Sequence, residues 1–284
     1  MILVTGAGGS LGRLTMDALL ARGVPAGDII AGVRSPERAK DLAALGVEVR
    51  EADYDRPDTL PGALDGARRV LLISGNEVGR REPQHRAVID AALAAGVEHL
   101  AYTSILHADT TPLVLAPEHL ATERHLRASG LPFTLLRNGW YTENYEQAIR
   151  RAVTEGVIAS ATDGGRVASA PRADYAEAAA TVLTTERPAE MYELSGDTAW
   201  SMADLATVVG EVAGVPVTHR SLPPAEYEAA LTGSGVPVET ARMLVGMDVD
   251  IAAGWLADTP GDLSRLLGRP TTPLRETVTA LLAG

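Results

Sequence analysis

The sequence has no cysteine, a single lysine and no long apolar segment among its 284 residues. Without cysteine the chain can form no disulfide, thiol nucleophile or cysteine-ligated metal centre, and a reducing, cytoplasmic location is expected. No apolar run approaches the roughly 18 residues of a membrane-spanning helix, and no basic leader precedes the first apolar residues. We therefore expect neither a membrane span nor a signal peptide.

The chain also lacks an excess of basic residues. Its formal net charge is −12 at pH 7, and no cluster of lysine and arginine stands out. An acidic chain repels nucleic acid unless a basic face is segregated from the rest. A nucleic-acid partner is therefore not expected. No metal site is expected either, since His119 and Glu123 lie one helical turn apart without an evident third ligand.

A glycine turn at the N-terminus is the most informative segment that is present. Ile2 to Val4 is a short apolar run typical of a buried strand, glycines follow at positions 6, 9 and 12, and residues 13–21 carry apolar side chains at helical spacing. A strand, a glycine turn and a helix in this order predict a dinucleotide site, because pyrophosphate can approach the unpaired N–H groups of the helix. The alternative is an ordinary glycine-rich turn.

Six strand-like segments alternate with helical segments along the first 150 residues. This alternation predicts the α/β class, with a Rossmann-type, doubly wound parallel sheet as a dinucleotide-binding domain over residues 1–150. The loops that follow the strands should lie along one edge, where ligands bind in such folds. Over residues 151–284 the pattern loosens and predicts a smaller, mixed α+β substrate lobe with segments that return to the Rossmann core.

Arg34 follows the second predicted strand. In dinucleotide folds an acidic residue at this place binds the ribose 2′-OH of NAD, whereas an arginine accommodates the 2′-phosphate of NADP. The position of Arg34 therefore predicts NADPH as the cofactor. A solvated surface arginine is the alternative.

The glycine spacing resembles the extended and atypical branches of the short-chain dehydrogenase/reductase superfamily. Its classical and extended members use a Tyr-x-x-x-Lys pair on the helix after the fifth strand, where the lysine lowers the pKa of the tyrosine. Ala116 and Leu120 occupy the approximate place here, and the only lysine is Lys40. The usual alcohol–ketone chemistry is therefore disfavoured, and an electrophilic acceptor such as a quinone, with protons taken from water, fits better.

Several longer segments match one family within that superfamily. They are residues 71–79 (LLISGNEVG), 83–86 (PQHR), 101–110 (AYTSILHADT), 135–145 (LLRNGWYTENY), 168–175, 192–200 and 268–272. These segments resemble the bacterial NAD(P)H:quinone oxidoreductase type 2 family, which is NmrA-like, and cover nearly the whole chain. Triphenylmethane reductase is a sister family with a similar frame.

The resemblance implies an NADPH-dependent reductase that transfers hydride to a quinone or a similar electrophilic acceptor. It places the phosphates on the glycine turn, the 2′-phosphate on Arg34 after the second strand, and the nicotinamide and its ribose on the loops after the fourth and sixth strands. The implied cofactor-binding residues are Gly6, Ala7, Gly8, Gly9, Ser10, Leu11, Arg34, Ser74, Gly75, Asn76, Glu77, Val78, Asn138, Gly139, Trp140, Tyr141 and Arg172.

No catalytic residue is assigned. His107, Trp140 and Tyr141 are candidates for the substrate pocket, because each follows a predicted strand at the ligand-binding edge. Core packing is the alternative for the two aromatic residues. Gln84 and His85 open a predicted helix, and a solvated first turn is the expected environment for both.

Two other functions stay open at this point. NmrA-like proteins include redox sensors that bind NAD(P) without turning it over, and steady oxidation of NADPH would argue against that role. A reductase of another electrophile, such as a dye, an imine or a biosynthetic intermediate, is the third possibility, and a substrate panel separates it from a quinone reductase. A homodimer is a possible assembly.

Overall fold

A computed structural model describes all 284 residues, as eleven strands and twelve α-helices. The strands are β1 (Ile2–Val4), β2 (Ile29–Val33), β3 (Glu48–Glu51), β4 (Arg69–Leu72), β5 (His99–Ile105), β6 (Phe133–Asn138), β7 (Val157–Ser160), β8 (Arg166–Val167), β9 (Met191–Leu194), β10 (Trp200–Ser201) and β11 (Thr218–Ser221). The helices are α1 (Ser10–Ala21), α2 (Lys40–Ala44), α3 (Leu60–Leu64), α4 (Arg81–Ala94), α5 (Ala116–Ser129), α6 (Glu146–Glu155), α7 (Arg172–Thr184), α8 (Met202–Ala213), α9 (Pro224–Gly233), α10 (Val238–Ala252), α11 (Asp262–Leu267) and α12 (Leu274–Ala283).

Seven strands form one parallel sheet, which confirms the predicted fold class. Their order is β3-β2-β1-β4-β5-β6-β9. The chain starts at β1, steps outward to β2 and β3, and then returns to the other side of β1 with β4. This reversal is the switch point at which open α/β sheets leave a crevice beyond the carboxyl ends of their strands. The loops after β1 and β4 therefore face each other across the crevice.

Helices cover both faces of the sheet. α1 packs against α7 on one face, where a buried apolar cluster includes Val4, Leu19 and Ala178. The alanines of α7 allow this close approach because they carry the smallest apolar side chains. α3, α4 and α5 cover the other face over a second cluster that includes Leu3 and Tyr102. The two clusters bury the sheet on both sides, as a parallel sheet requires.

The segments after residue 150 divide between the sheet and a separate lobe. β9 pairs with β6 as the seventh strand, and α11 packs beside it and against α7. The other segments form a lobe around a third apolar cluster that contains Trp200 and Ile251, with the two-stranded pairs β8–β10 and β7–β11. At the start of α8, Ser201 and Asp204 form the capping box that their spacing predicts.

Several element boundaries differ from the sequence-based expectations. The segment from Pro36 to Leu45 predicts one helix, but the structure has a short 3-10 turn at Pro36–Arg38 followed by α2. α4 begins at Arg81, three residues before the predicted start at Gln84. None of the helices combines the length with the apolar character that crossing a membrane requires.

Candidate active site

A cavity of about 670 Å³ lies beyond the carboxyl ends of β1, β2 and β4. The glycine turn before α1, the end of β2 and the loops after β3 and β4 form its walls, together with Gln84, Tyr141 and Arg172. The predicted cofactor residues that line it are Gly6, Gly8, Gly9, Ser10, Leu11, Arg34, Ser74, Gly75, Asn76, Glu77, Tyr141 and Arg172. Segments far apart in sequence thus meet at the switch point.

Five of the predicted cofactor residues do not line this cavity. Ala7 is fully buried, and its N–H donates to the carbonyl of Gly32 at 3.0 Å. Val78 is 58% exposed to solvent on the outside of its loop. Gly139 donates its N–H to the carbonyl of Leu194. The remaining two are Asn138, which bonds to a cavity residue, and Trp140, which packs on the third apolar cluster.

The glycine turn leaves the start of α1 open to the cavity. Gly6 has φ +60°, a conformation that favours glycine. A Cβ atom on Gly12 would lie 2.5 Å from the carbonyl oxygen of Gly6 and 2.7 Å from the Cα of Ala7. No side chain caps α1, so its first N–H groups remain available to an anion, where the helix dipole also favours negative charge.

Gly12→Ala is expected to lower the free energy of unfolding by about 2 kcal/mol, because the added methyl group overlaps backbone atoms of the turn. Gly9→Ala is the matched control, since the Cβ atom there would meet nothing closer than 3.4 Å. Urea unfolding of both variants measures the difference. Equal losses in the two variants would contradict the packing explanation.

Arg34 lies at the cavity wall without a close acidic partner. Its side chain is 73% exposed, and the nearest carboxylate oxygen, on Glu77, is 3.9 Å away. Glu77 lies closer to Arg80, at 3.1 Å. The planar guanidinium group of Arg34 can therefore bind a phosphate through two parallel hydrogen bonds. Arg38 lines the same part of the cavity.

Tyr141 and Arg172 form a second polar part of the wall. The Arg172 guanidinium lies 4.8 Å from the centre of the Tyr141 ring. The side-chain amide of Asn138 donates to the Tyr141 hydroxyl at 3.1 Å, while its own oxygen is buried with no hydrogen-bond partner. Burial raises the pKa of Tyr141, so its phenol stays protonated.

The structure places His107 in a network of carboxylates and not at the cavity. His107 has φ +53°, its N–H donates to Glu193, and its Nε2 lies 2.9 Å from Asp258 Oδ2. Of the three predicted substrate-pocket candidates, only Tyr141 lines the cavity.

The expectation that Gln84 and His85 are solvated is wrong. Both are buried, because α4 begins earlier than predicted and packs against α5. Gln84 lines the cavity, and His85 bonds to a loop residue that lines it. Sequence reasoning also missed Tyr54, whose hydroxyl donates to the carbonyl of Ile73 at the same wall. The position of Tyr54 after a strand is the signal that points to it.

His119 and Glu123 share a helix face but belong to different networks. His119 Nδ1 lies 2.7 Å from the Tyr102 hydroxyl. Glu123 accepts hydrogen bonds from Arg137 and Ser104. No group of three or more histidine, aspartate or glutamate side chains is arranged to bind a metal.

Asp248 is a buried carboxylate in the C-terminal lobe, where its Oδ2 accepts from the N–H of Ala161 at 2.7 Å. Burial raises its pKa from 3.8 to about 6, and the hydrogen bond opposes this effect. The protonated Asp248 carboxyl therefore contributes to the free energy of unfolding in full below about pH 4, and this contribution is lost as the pH rises through about 6.

The free energy of unfolding of Asp248→Asn relative to wild type is accordingly expected to increase by about 2 kcal/mol as the pH rises from 4 to 7. The matched control is Asp250→Asn on the same helix, where the carboxylate is less buried and a smaller gain is expected. Urea unfolding across this pH range measures the difference in stability. A difference that stays constant with pH would contradict the assignment.

Comparison with known proteins gives matches over nearly the whole chain. Residues 6–186 match the family described as NAD(P)H-binding. Quinone oxidoreductase 2 of Escherichia coli is 49% identical over 282 residues, covering 99% of this chain and 98% of that protein.

Two solved structures are also closely similar. The NADPH-dependent quinone oxidoreductase of Escherichia coli, complexed with NADPH, aligns with a TM-score of 0.95 and 48% identity, covering 99% of this chain and 100% of the other. Triphenylmethane reductase of Citrobacter sp., complexed with NADP(H), aligns with a TM-score of 0.94 and 39% identity, with the same coverage of the two chains.

Proposed function

The chain belongs to the NAD(P)H-binding family, and we propose that it is an NADPH-dependent quinone oxidoreductase. The family resemblance found in the sequence is confirmed by the full-length similarity to Quinone oxidoreductase 2. The observation that carries the proposal is the cavity at the switch point, where an uncapped helix start and an arginine without a close carboxylate lie along one wall.

The residues of this cavity fit NADPH. The glycine turn and the first N–H groups of α1 suit the pyrophosphate. Arg34, with Arg38 beside it, suits the 2′-phosphate. The loop from Ser74 to Glu77 lines the cavity opposite the turn and suits the ribose and nicotinamide.

When bound, NADPH supplies a hydride from its nicotinamide ring. The chain's own residues bind and orient the reactants and exclude water from the crevice. α5 begins at Ala116 and carries no Tyr-x-x-x-Lys pair, and the only lysine lies on α2. Tyr141 is half-buried, desolvation raises its pKa, and it holds its proton. A quinone suits such a site because the reduced product can take its protons from solvent.

The test is steady-state oxidation of NADPH by the purified protein with a panel of simple quinones. We expect continuous turnover with quinones and a lower kcat/KM with NADH. Tight binding of NADPH with no turnover would favour a redox sensor. Turnover with triphenylmethane or azo dyes alone would favour a reductase of other electrophiles. Either outcome would contradict the proposed quinone activity.

The assembly and location of the protein remain predictions. Several apolar side chains of α10 are exposed, among them Val238, Met243 and Val249, and their exposure is compatible with the predicted homodimer. Sedimentation of the protein in solution tests that state. A cytoplasmic location and the absence of a nucleic-acid partner stay predictions from the composition, and a small-molecule substrate follows from the proposed activity.

A further inference from the structure

We infer that His85 and Arg81 are positioning residues for the cofactor, because together they hold both polar groups of Gly75 in the loop after β4. The inference rests on the NADPH binding proposed above. Gly75 lines the cavity between Ser74 and Asn76. Its N–H donates to His85 Nε2 at 3.0 Å, and its carbonyl accepts from Arg81 Nε at 2.5 Å. Both His85 and Arg81 are on α4, outside the segments proposed to bind the phosphates.

The hydrogen bonds around His85 fix its tautomer. The hydroxyl of Thr122 donates to the carbonyl of Glu118 at 3.0 Å, so its oxygen is free to accept. His85 Nδ1 lies 2.9 Å from that oxygen and must carry the proton, because Nε2 accepts from Gly75. A chain of three hydrogen bonds therefore connects α5 through α4 to the cofactor loop.

Arg81 is anchored from the opposite side. Its Nη1 lies 3.1 Å from Glu118 Oε2, and Glu118 Oε1 accepts from the N–H of Gly79. Arg81 is buried, so the pair places the guanidinium group against the Gly75 carbonyl with little freedom. The two ends of the loop, at Gly75 and Gly79, are thus attached to the same arginine–glutamate pair.

The surroundings keep His85 in the neutral form that can accept a hydrogen bond. Burial, together with the positive charge of Arg81, lowers the pKa of His85 to about 3. A protonated ring would have no acceptor and would leave the Gly75 N–H without a partner. Arg81 therefore has two effects, because it binds the Gly75 carbonyl and opposes protonation of His85.

The position of the loop explains how these hydrogen bonds can affect cofactor binding. Ser74 to Glu77 lies beside the cavity between a strand end and a helix start, where backbone freedom would cost entropy when a ligand binds. Fixing the Gly75 peptide in the free protein removes part of that cost. Loss of the hydrogen bonds from His85 and Arg81 to Gly75 should weaken NADPH binding and raise KM for NADPH more than it lowers kcat.

The experiment compares His85→Leu with His119→Leu. His119 is the matched control, because it is also buried, its pKa is also lowered to about 3, and it bonds to Tyr102 and not to the loop. Fluorescence titration with NADPH, without quinone, is expected to show a Kd increase of about fivefold in His85→Leu, which corresponds to one hydrogen bond of about 1 kcal/mol. Less than about a twofold change is expected in His119→Leu.

Two further measurements separate positioning from general stability. Hydrogen exchange of the Gly75 amide in the free protein should be faster in His85→Leu and unchanged in His119→Leu. His85→Gln should restore much of the affinity, because its amide oxygen can accept from Gly75. If His85→Leu does not fold, Thr122→Val tests the same chain from its far end, with a smaller effect in the same direction.

Three results would overturn the inference. They are equal Kd changes in His85→Leu and His119→Leu, an unchanged exchange rate of the Gly75 amide, and no difference between His85→Gln and His85→Leu. Failure of the wild-type protein to bind NADPH would overturn the proposed function itself, and the positioning role with it. Wild-type binding together with unaffected His85 variants would overturn the positioning role alone.

Discussion

Arg137→Met is expected to lower the free energy of unfolding by about 3–5 kcal/mol, because it leaves a buried carboxylate without a counter-ion. Arg137 on β6 is 3% exposed, and Glu123 on α5 is 1% exposed. The guanidinium group donates to both oxygens of Glu123, at 2.9 and 2.7 Å. It also donates to Glu193 at 2.8 Å and to Asp109 at 2.9 Å.

The double variant Arg137→Met/Glu123→Gln should recover part of this loss, because the more deeply buried of the carboxylates, beside Ser104, is then neutral, while Glu193 still lacks the cation. Arg68→Ala is the surface control. Its partner Glu98 is exposed, and removing such a pair costs at most about 1 kcal/mol. Urea unfolding of all three variants measures the differences. A loss in Arg137→Met no larger than in Arg68→Ala would contradict the assignment.

The position of Arg137 explains why this network matters for the site. Through its carboxylate partners it connects β6 to α5 and β9, and Glu193 on β9 also accepts from the N–H of His107 after β5. These contacts hold together the carboxyl ends of three strands on the far side of the crevice. His107, which the sequence suggested as a substrate-pocket residue, instead belongs to the network that holds this edge of the sheet together.

Much of the fold could be predicted from the sequence, because its signals are local. The glycine turn, the alternation of strand and helix, and Arg34 at a strand end each depend on residues within a few positions of one another. Membership of β9 in the main sheet could not be predicted in the same way. Met191–Leu194 is a four-residue strand that pairs with β6 more than fifty residues earlier, and only tertiary packing decides that pairing.

The candidate site shows where sequence reasoning reaches its limit. The sequence identifies the loop after β6 but not which side of it faces the cavity. Trp140 and Tyr141 are adjacent in an extended segment, where neighbouring side chains point to opposite sides, so one joins the third apolar cluster and the other lines the cavity. The burial of His85 could not be predicted, because it depends on the packing of α4 against α5, a contact between segments far apart in sequence.

Arg34→Ala is expected to lower kcat/KM for NADPH by about a hundredfold, because charge-assisted hydrogen bonds to the 2′-phosphate contribute about 1.5–3 kcal/mol. NADH has no phosphate at that place, so its kcat/KM should stay within about twofold of wild type. Steady-state kinetics with a fixed quinone and both cofactors measure the two values. Arg22→Ala is the control, since Arg22 directly follows α1 and donates to the Thr184 hydroxyl, away from the cavity.

Arg38→Ala decides whether Arg34 acts alone. Arg38 lines the same part of the cavity, but it lies on the 3-10 turn Pro36–Arg38, which follows the end of β2. If Arg34 is the main phosphate ligand, Arg38→Ala should lower the NADPH preference less than Arg34→Ala does. A preference for NADPH that survives Arg34→Ala and disappears in Arg38→Ala would assign the 2′-phosphate to Arg38. The weak 3.9 Å contact between Arg34 and Glu77 favours the first result, because little attraction has to be lost before a phosphate can bind.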